Sequence, residues 1–211
     1  MRFKLTIMTN SHFKKNINLL IIGLSGCGKS TQAHKIAKKY QLTHFSMGEL
    51  LRQEIKRKTV VGIRAQKIIS QGKWAPDEIV LPILFKALEK IDFKNFIIDG
   101  FPRLVDQAVA MDKRLQTIPS NIDLVIHMQI TATEVLKRRQ DRGDAFQSVD
   151  REDNSPQAIA QKELSYRQSI KPILDYYSQT KKLFEVDAKP PIEDIFEDIS
   201  KKINLLIKNK N

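Results

Sequence analysis

Cysteine is nearly absent from this sequence of 211 residues, and long apolar runs are absent altogether. The single cysteine, Cys27, excludes an intramolecular disulfide framework and a cysteine-rich zinc site, and it is typical of proteins in a reducing cytosol. No stretch approaches the roughly 18–20 consecutive apolar residues that a membrane helix needs. We therefore expect a cytoplasmic protein without zinc and without a membrane partner.

Acidic residues are missing from the first 16 residues, which carry Arg2, Lys4, Lys14 and Lys15. The apolar residues of this segment are scattered, whereas a secretory signal needs a continuous apolar core. We interpret residues 1–16 as a short extension, disordered or loosely docked on the folded domain. A weak organelle-targeting segment is the alternative.

Positive charge is in excess, and the formal net charge is +12. Nucleic acid and a polyanionic small substrate such as ATP would both suit such a protein. A lysine-rich surface that reflects composition alone is a third explanation, which the lysines at 201–202 and 208–210 favour. Charge by itself does not choose among the three.

Short apolar runs alternate with segments of helical periodicity along most of the chain. This alternation predicts an α/β fold with a parallel sheet and helices on both of its faces. The predicted strands are 18–22, 42–46, 95–99, 124–130 and 183–186, and the predicted helices include 31–40, 77–88, 106–115 and 192–207. The runs 95–99 and 124–130 are too apolar for a sheet edge, so we predict that they are central strands.

Two segments interrupt the alternation. Residues 47–74 have helical character without a strand, which predicts a helical insert. Residues 142–151 are polar and lack periodicity, which predicts a mobile loop. Parallel sheets bind ligands beyond the carboxyl ends of their strands, so we expect both segments to border a site there.

A phosphate-binding loop follows the first predicted strand. Residues 23–30 match the pattern G-x-x-x-x-G-K-[ST] at every fixed position. The glycines let backbone N–H groups converge on an anion, and the next helix adds the positive end of its dipole. Lys29 is expected to reach the β and γ phosphates of ATP, and Ser30 or Thr31 the metal or phosphate oxygens. The predicted ATP contacts here are Gly23, Ser25, Gly26, Cys27, Gly28, Lys29, Ser30 and Thr31.

Four segments resemble successive signatures of the adenylate kinase family, in that family's order and at its spacing. They are GLSGCGKSTQ at 23–32, FSMGELLR at 45–52, GKWAPDEIV at 72–80 and DGFPRLVDQ at 99–107. A later stretch, from Arg151 to Tyr177, resembles the family's lid exit and following helix. The resemblance covers residues 17–207 nearly completely.

This resemblance implies a three-layer P-loop fold with a central five-stranded parallel sheet. The nucleoside monophosphate kinase domain would span residues 17–211, with a nucleoside-monophosphate-binding (NMP-binding) insert at 46–75 and a lid at 142–152. The loop between Arg142 and Arg151 is too short for the long lid of many bacterial enzymes and lacks the cysteines of its zinc version. It resembles the short-lid type.

The implied activity is the reversible, Mg²⁺-dependent transfer of a phosphoryl group from ATP to AMP, giving two ADP. A UMP/CMP kinase of the same fold is the main alternative. A nucleic-acid-stimulated P-loop ATPase is the alternative from another class, but it leaves the DGFPR segment and Gln107 without roles. A kinase-like binding protein with little turnover is the third. We expect a monomer whose partners are ATP and AMP, with no nucleic acid.

Fixed cations are needed where two nucleotides meet, because phosphates repel each other at low dielectric. Arg52 and Arg103 can grip the acceptor phosphate bidentately, and the family gives them this role. Gln107 can pair with N1 and N6 of adenine, whereas pyrimidine-directed relatives commonly carry asparagine there. The other predicted AMP-side residues are Ser46, Met47, Lys73, Trp74, Ala75, Gly100, Phe101, Arg151 and Lys162.

Two of these positions leave questions open. Met47 stands where adenylate kinases usually carry threonine and UMP/CMP kinases often a small residue, so it does not identify the acceptor base. Trp74 either stacks on the base or packs as an apolar residue. We expect substitutions of Gln107 or Met47 to affect folding little, on the assumption that the pocket is open to solvent.

The lid arginines are expected to clamp the ATP phosphates in the closed state. Arg138 and Arg142 lie four residues apart on one helix face, and with Arg151 they resemble the family's lid set. Lys162 replaces a family arginine, which keeps the charge and loses the planar fork. These four residues, with Lys29 and Arg103, are the predicted catalytic residues, and Arg138 and Arg142 are also predicted ATP contacts.

The metal and the nucleophile complete the expected chemistry. Asp99 ends an apolar strand and is predicted to direct Mg²⁺ through water, with Ser30 as the second metal-side residue. No histidine stands in the motifs, and His127 is predicted to be a hydrogen-bonded core residue. A general base is not needed, because the acceptor phosphate has a second pKa of ~6 and is itself the nucleophile. Catalysis then rests on alignment, charge neutralisation and exclusion of water.

Overall fold

The computed structural model describes residues 16–141 and 156–210. Its sheet has five parallel strands in the order β2-β3-β1-β4-β5. The strands are β1 (Asn18–Gly23), β2 (Thr43–Ser46), β3 (Phe96–Asp99), β4 (Leu124–Gln129) and β5 (Leu183–Asp187). The predicted α/β fold is confirmed, and the strands at 95–99 and 124–130 are central, because β2 and β5 form the edges.

Helices cover both faces of this sheet. They are α1 (Lys29–Tyr40), α2 (Met47–Lys56), α3 (Val60–Ile69), α4 (Asp77–Glu89), α5 (Val105–Gln116), α6 (Ala132–Asp141), α7 (Pro156–Gln179) and α8 (Ile192–Asn209). Residues 1–15 and 142–155, which include most of the predicted extension and all of the predicted lid, lie outside the described residues. None of the helices within the described residues is both long enough and apolar enough to cross a membrane.

The alternation of side chains along β1 divides the core into two layers. Leu20 and Ile22 face the layer formed with α2, α3, α4, α5 and α7, while Leu19 and Ile21 face the layer formed with α1, α6 and α8. Successive strand residues point to opposite faces, so a strand buried on both sides must be apolar throughout. Burying each such side chain stabilises the folded state by about 1.5–3 kcal/mol. The central strands therefore form a rigid base that supports the site.

Two helices and no strand occupy residues 47–74, as predicted. Thr59 caps the second of them, α3, because its hydroxyl accepts a hydrogen bond from the Gly62 N–H at 3.0 Å. Gly62 also lets α3 approach α2 closely, since a Cβ atom there would lie 2.1 Å from the Glu54 carbonyl oxygen. The two helices therefore pack as one unit beside the carboxyl end of the sheet.

Helix α1 contains the end of the phosphate loop, and hydrogen bonds and an ion pair join it to α8. The Gln32 amide donates to the Ile192 carbonyl at 2.8 Å, and Lys35 pairs with Glu193 at 2.6 Å. Near the other end, the Tyr40 hydroxyl bonds to Asn204 at 2.9 Å. These contacts hold α1, and with it the loop, in a fixed position against the sheet.

Candidate active site

The phosphate loop connects β1 to α1 by a turn that requires glycine. At Gly23, φ is +151° and a Cβ atom would lie 2.8 Å from the Met128 carbonyl oxygen, so a side chain would collide with β4. Gly28 has φ +100° and stands directly before α1. Both positions favour glycine for its conformational freedom, and together they lead the backbone into the N-terminus of α1.

Lys29 bends back over this loop. Its Nζ atom donates a hydrogen bond to the Leu24 carbonyl at 2.8 Å and lies 3.8 Å from the Cys27 sulfur. Cys27 itself is buried beneath the loop, in the same apolar layer as Leu24 and Ala33. The ammonium group therefore lies over the backbone of the loop, while the thiol fills space below it.

Ser30 and Asp99 meet at the start of α1. Asp99 is the last residue of β3 and pairs with Ile21 of the central strand, so its carboxylate lies at the carboxyl edge of the sheet. The Ser30 hydroxyl donates a hydrogen bond to Asp99 Oδ2. A carboxylate and a hydroxyl are oxygen ligands of the kind that Mg²⁺ accepts, either directly or through water.

A larger metal cluster is absent from residues 16–141 and 156–210. No group of three or more histidine, cysteine, aspartate or glutamate side chains gathers there. Mg²⁺ in phosphoryl-transfer sites usually keeps several waters and uses one or two carboxylates together with substrate phosphates. The Ser30–Asp99 pair has the composition that such a site requires.

Two arginines lie across the cleft from the phosphate loop. Arg52, on α2, pairs with Glu49 at 2.8 Å, and both side chains are exposed. Arg103 follows β3, and its Nε atom donates to the Gly100 carbonyl at 3.0 Å. Its guanidinium carbon lies 4.4 Å from the centroid of the Trp74 ring. The acceptor side therefore presents cations on side chains, each fixed by a neighbour.

Gln107, the predicted base reader, is 1% exposed. Its Oε1 atom accepts the Arg103 backbone N–H at 2.9 Å, and its Nε2 atom donates to the Ala75 carbonyl at 3.3 Å. Met47 is equally buried and belongs to the core layer of Leu51. The expectation that Gln107 and Met47 lie in a solvent-open pocket is wrong, because both face the packed interior between the insert and the sheet.

The exposed parts of the candidate site border one cleft of about 1060 Å³. The phosphate loop, the Ser30–Asp99 pair, the two arginines and Lys162 of α7 lie on its walls. The Adenylate kinase family model matches residues 21–182 of the sequence. The chain belongs to the adenylate kinase family. Members of this family are phosphotransferases that act on nucleoside monophosphates, and the four motifs quoted above fall within the matched residues.

Named relatives agree with this assignment over nearly the whole chain. An adenylate kinase of Azobacteroides pseudotrichonymphae is 36% identical over 193 residues, which are 91% of this chain and 100% of that protein. An adenylate kinase of Nitrobacter hamburgensis is 34% identical over 187 residues, with 87% and 90% covered. One from Staphylococcus aureus strain Mu50 is 32% identical over 209 residues, with 87% and 97% covered.

The adenylate kinase cleft gathers most of the residues predicted for it. On its walls are Gly23, Ser25, Gly26, Gly28, Lys29, Ser30, Thr31, Ser46, Arg52, Lys73, Trp74, Asp99, Gly100, Arg103 and Lys162. Five others are buried behind the walls, namely Cys27, Met47, Ala75, Phe101 and Gln107. The role of each residue stays a prediction, since position alone does not assign it.

Arg138 is not on the walls of this adenylate kinase cleft. Its Nε atom pairs with Glu134 at 3.3 Å, and its Nη2 atom donates to the Lys189 carbonyl at 2.8 Å. The guanidinium is thereby held at the loop before α8. Arg142 and Arg151, its predicted lid partners, lie outside the described residues.

His127 is confirmed as a hydrogen-bonded core histidine. Its Nδ1 atom lies 2.9 Å from a Glu185 oxygen and its Nε2 atom 2.9 Å from the Tyr166 hydroxyl. A carboxylate only accepts hydrogen bonds, so in the neutral ring Nδ1 donates to Glu185 and Nε2 accepts from Tyr166. Burial lowers the pKa of His127, and it outweighs the opposing effect of Glu185.

Tyr166 is a cleft residue that the sequence analysis missed. It lies four positions after Lys162 on α7, and both side chains border the cleft. Residues four apart share one face of a helix, so the spacing from Lys162 was the available signal. Gln66, Ile69 and Ser70 on the α3 side were missed as well, because no motif marks them.

Proposed function

We propose that this member of the adenylate kinase family transfers the terminal phosphoryl group of ATP to AMP, in a reversible Mg²⁺-dependent reaction that gives two ADP. One observation carries the proposal: a single cleft joins the phosphate loop to Arg52 and Arg103. A loop that holds one triphosphate and a separate pair of cations for a second phosphate fit a reaction between two nucleotides.

ATP is the proposed donor at the phosphate loop. The backbone N–H groups of the loop and the positive end of α1 would bind the phosphates, and Lys29 would leave the Leu24 carbonyl to reach the β and γ groups. Ser30 and Asp99 have the composition to hold Mg²⁺, with Asp99 acting through water. Bound there, the ion would neutralise charge on the β and γ phosphates.

AMP is the proposed acceptor at the two arginines. The Arg52–Glu49 pair is exposed, and exposed pairs contribute only about 0–1 kcal/mol, so a phosphate dianion can replace the carboxylate. Arg103 would take the same phosphate from the other side. Because this phosphate is largely ionised near neutral pH, it attacks the γ-phosphorus without a general base.

The catalytic set would then consist of cations that neutralise the moving phosphoryl group. Lys29, Arg103 and Lys162 already border the cleft. Arg138, Arg142 and Arg151 are proposed to join them when the lid closes, which for Arg138 means releasing the Lys189 carbonyl. Closure would also exclude water and so prevent hydrolysis of ATP.

Gln107 remains the proposed reader of the adenine edge. Its amide orientation is set by two backbone partners, the Arg103 N–H and the Ala75 carbonyl. Reading the base therefore requires the amide to exchange at least one of these partners, or to share it, when AMP enters. A UMP/CMP kinase stays the alternative, since Met47 fits neither pattern.

The surroundings of the reaction are proposed as well. Large exposed apolar side chains are spread over five helices, α3, α5, α6, α7 and α8; they include Val60, Val109, Leu136, Leu164 and Leu205. Scattered apolar residues are normal on monomers. We propose a cytoplasmic monomer that needs no zinc, membrane or nucleic-acid partner.

An acceptor panel tests this function. ATP and Mg²⁺ are incubated with AMP, dAMP, GMP, UMP and CMP, and formation of ADP and the matching nucleoside diphosphate is measured. AMP should give the highest kcat/KM. Preference for UMP or CMP would overturn the acceptor, and ATP hydrolysis stimulated by RNA or DNA without any acceptor would overturn the reaction. A metal analysis of the same protein should find no stoichiometric zinc.

A further inference from the structure

Trp74 is the one tryptophan in the chain, and it stands on the wall of the cleft between α3 and α4. Its ring faces the Arg103 guanidinium, whose carbon lies 4.4 Å from the ring centroid. This is the geometry of a cation–π contact, and tryptophan is the aromatic residue that makes the strongest one.

The indole N–H of Trp74 is buried and has no hydrogen-bond partner among residues 16–141 and 156–210. A buried donor without an acceptor is costly and rare in native proteins. A phenylalanine at this position would avoid that cost and still fill the space with a ring. Tryptophan offers the larger and stronger π face of the two rings, and Arg103 lies over that face.

Arg103 is held from two directions. The Gly100 carbonyl accepts from its Nε atom at 3.0 Å, which fixes the edge of the guanidinium. The Trp74 ring lies against its face, which fixes its plane. Gly100 has φ +75°, a backbone conformation that favours glycine, and a Cβ atom there would lie at van der Waals contact, 3.4 Å, from Nη2.

We propose that Trp74 is a positioning residue that orients the Arg103 guanidinium toward the acceptor phosphate, and that it does not serve as a stacking surface for the base. This rests on the proposed function, because it requires a nucleoside monophosphate at Arg103. A bidentate grip on phosphate needs a defined guanidinium plane. Fixing that plane before the ligand arrives reduces the entropy lost on binding.

The same contact argues against base stacking. While Arg103 lies 4.4 Å from the ring centroid, the ring face that it covers is closed to a nucleobase. Arg103 is also tied to Gly100 and, through its backbone N–H, to Gln107. The arginine is therefore a fixed neighbour of the ring.

Steady-state kinetics of three variants provide the first test. Trp74→Leu should raise KM for AMP about tenfold, within the roughly 2- to 30-fold range of a partly desolvated cation–π contact, and leave KM for ATP within about twofold. Trp74→Phe keeps a ring face and should recover most of the loss. Phe196→Leu is the control: Lys35 Nζ lies 4.9 Å from the centroid of the Phe196 ring, which is outside the cleft. Removing that ring should leave both KM values unchanged.

A ligand series separates phosphate positioning from base stacking. Ribose 5-phosphate is AMP without its base, and adenosine is AMP without its phosphate; the inhibition constants of both against AMP are measured. If Trp74 acts through Arg103, Trp74→Leu weakens the binding of ribose 5-phosphate as much as that of AMP and leaves the binding of adenosine unchanged. Weakening of AMP and adenosine without ribose 5-phosphate would show base stacking, and equal weakening of all three would show general packing. Either result overturns the proposal.

A double-mutant cycle measures the coupling between Trp74 and Arg103 in AMP binding, which a purely structural role of Trp74 would not produce. AMP affinity is measured by calorimetry for Trp74→Leu in the wild type and in an Arg103→Ala background. We expect the loss to disappear when the guanidinium is already absent. The same loss in both backgrounds would refute the coupling.

The proposed function and this inference can fail separately. If the acceptor panel selects UMP, the series is run with UMP, and only the AMP assignment is lost. If AMP is phosphorylated and Trp74→Leu keeps wild-type constants, only the role of Trp74 is lost.

Discussion

The donor side of the cleft is made largely of backbone, whereas the acceptor side is made of side chains from several separate segments. The phosphate loop is one continuous stretch whose shape follows from Gly23 and Gly28. Arg52, Trp74 and Arg103 come from α2, the loop before α4 and the turn after β3. A backbone site depends on local dihedral angles, while a side-chain site depends on how distant segments pack. Substitutions should therefore damage the two sides in different ways.

The largest expected effect comes from a substitution on the donor side alone. Lys29→Ala removes the ammonium group that lies over the phosphate loop, and we expect kcat to fall by about 10²–10³-fold or more, because one preformed cation at the transferring phosphoryl group is removed. Thermal unfolding should be nearly unchanged, since within residues 16–141 and 156–210 Lys29 bonds only to a loop carbonyl and weakly to Cys27. Lys201→Ala, on α8, is the matched control. Near-normal turnover in Lys29→Ala would remove the donor assignment.

The next effect concerns the acceptor side. Gln107→Ala removes an amide that bonds to the Arg103 N–H and the Ala75 carbonyl. If Gln107 also reads adenine, KM for AMP should rise roughly ten- to a hundredfold while KM for ATP changes little. Leaving two buried backbone groups unpaired should also cost about 1–3 kcal/mol of unfolding free energy.

Gln107→Glu is the useful comparison for that variant. It keeps an acceptor for the Arg103 N–H and loses the donor to Ala75, so stability should be lower than in the wild type and AMP preference reduced. A Gln107→Ala enzyme with unchanged stability and unchanged discrimination between AMP and UMP would contradict both parts of the prediction.

A smaller effect should come from the packing of the insert. Gly62→Ala places a Cβ atom 2.1 Å from the Glu54 carbonyl oxygen, which is backbone and cannot rotate away, so α3 must move from α2. Overpacking of this kind costs about 1–3 kcal/mol. We expect a lower Tm and a several-fold higher KM for AMP, with KM for ATP unchanged.

Lys67→Ala provides the control for Gly62→Ala. It introduces the same residue into the same helix at an exposed position, and neither Tm nor KM for AMP should change appreciably. A Gly62→Ala protein with wild-type Tm would show that the two helices do not pack as described.

The smallest expected effect is a pH dependence of the protein's stability, caused by His127 on the strand next to the donor loop. Burial lowers the pKa of His127 from its ordinary value of 6.5, so the folded state binds a proton less readily than the unfolded state. The stability that this group contributes is present above about pH 6.5 and is lost as pH falls through the lower folded-state pKa. His127→Gln keeps hydrogen-bonding capacity without this titration, and its Tm should fall less between pH 7.5 and pH 5.5.

Thermal melts of both proteins at several pH values measure this difference. Glu185 and Tyr166 contact the ring, and the positive charge of Lys29 also lowers the pKa of His127. Equal loss of Tm in the two proteins across that range would show that His127 does not titrate within it.

The central strands were predictable from composition because strands buried on both faces are mostly apolar. All five strands end within one residue of their predicted bounds, including the partly exposed edge strands β2 and β5. The phosphate loop was equally predictable, since its function depends on glycine at fixed intervals. The exposure of Gln107 and Met47 was not, because nothing in their local sequence shows that α2 and α5 press these side chains against the core.

The sequence by itself determined the alternating α/β order, the phosphate loop and the membership of a kinase family, since each depends on residues close together in the chain. The tertiary structure decided which residues meet across it. It brought Ser30 of α1 to Asp99 of β3, placed Trp74 over Arg103, and linked His127 to Tyr166. These pairs are separated by tens of residues, and only the packing of helices on a common sheet brings such residues within contact distance.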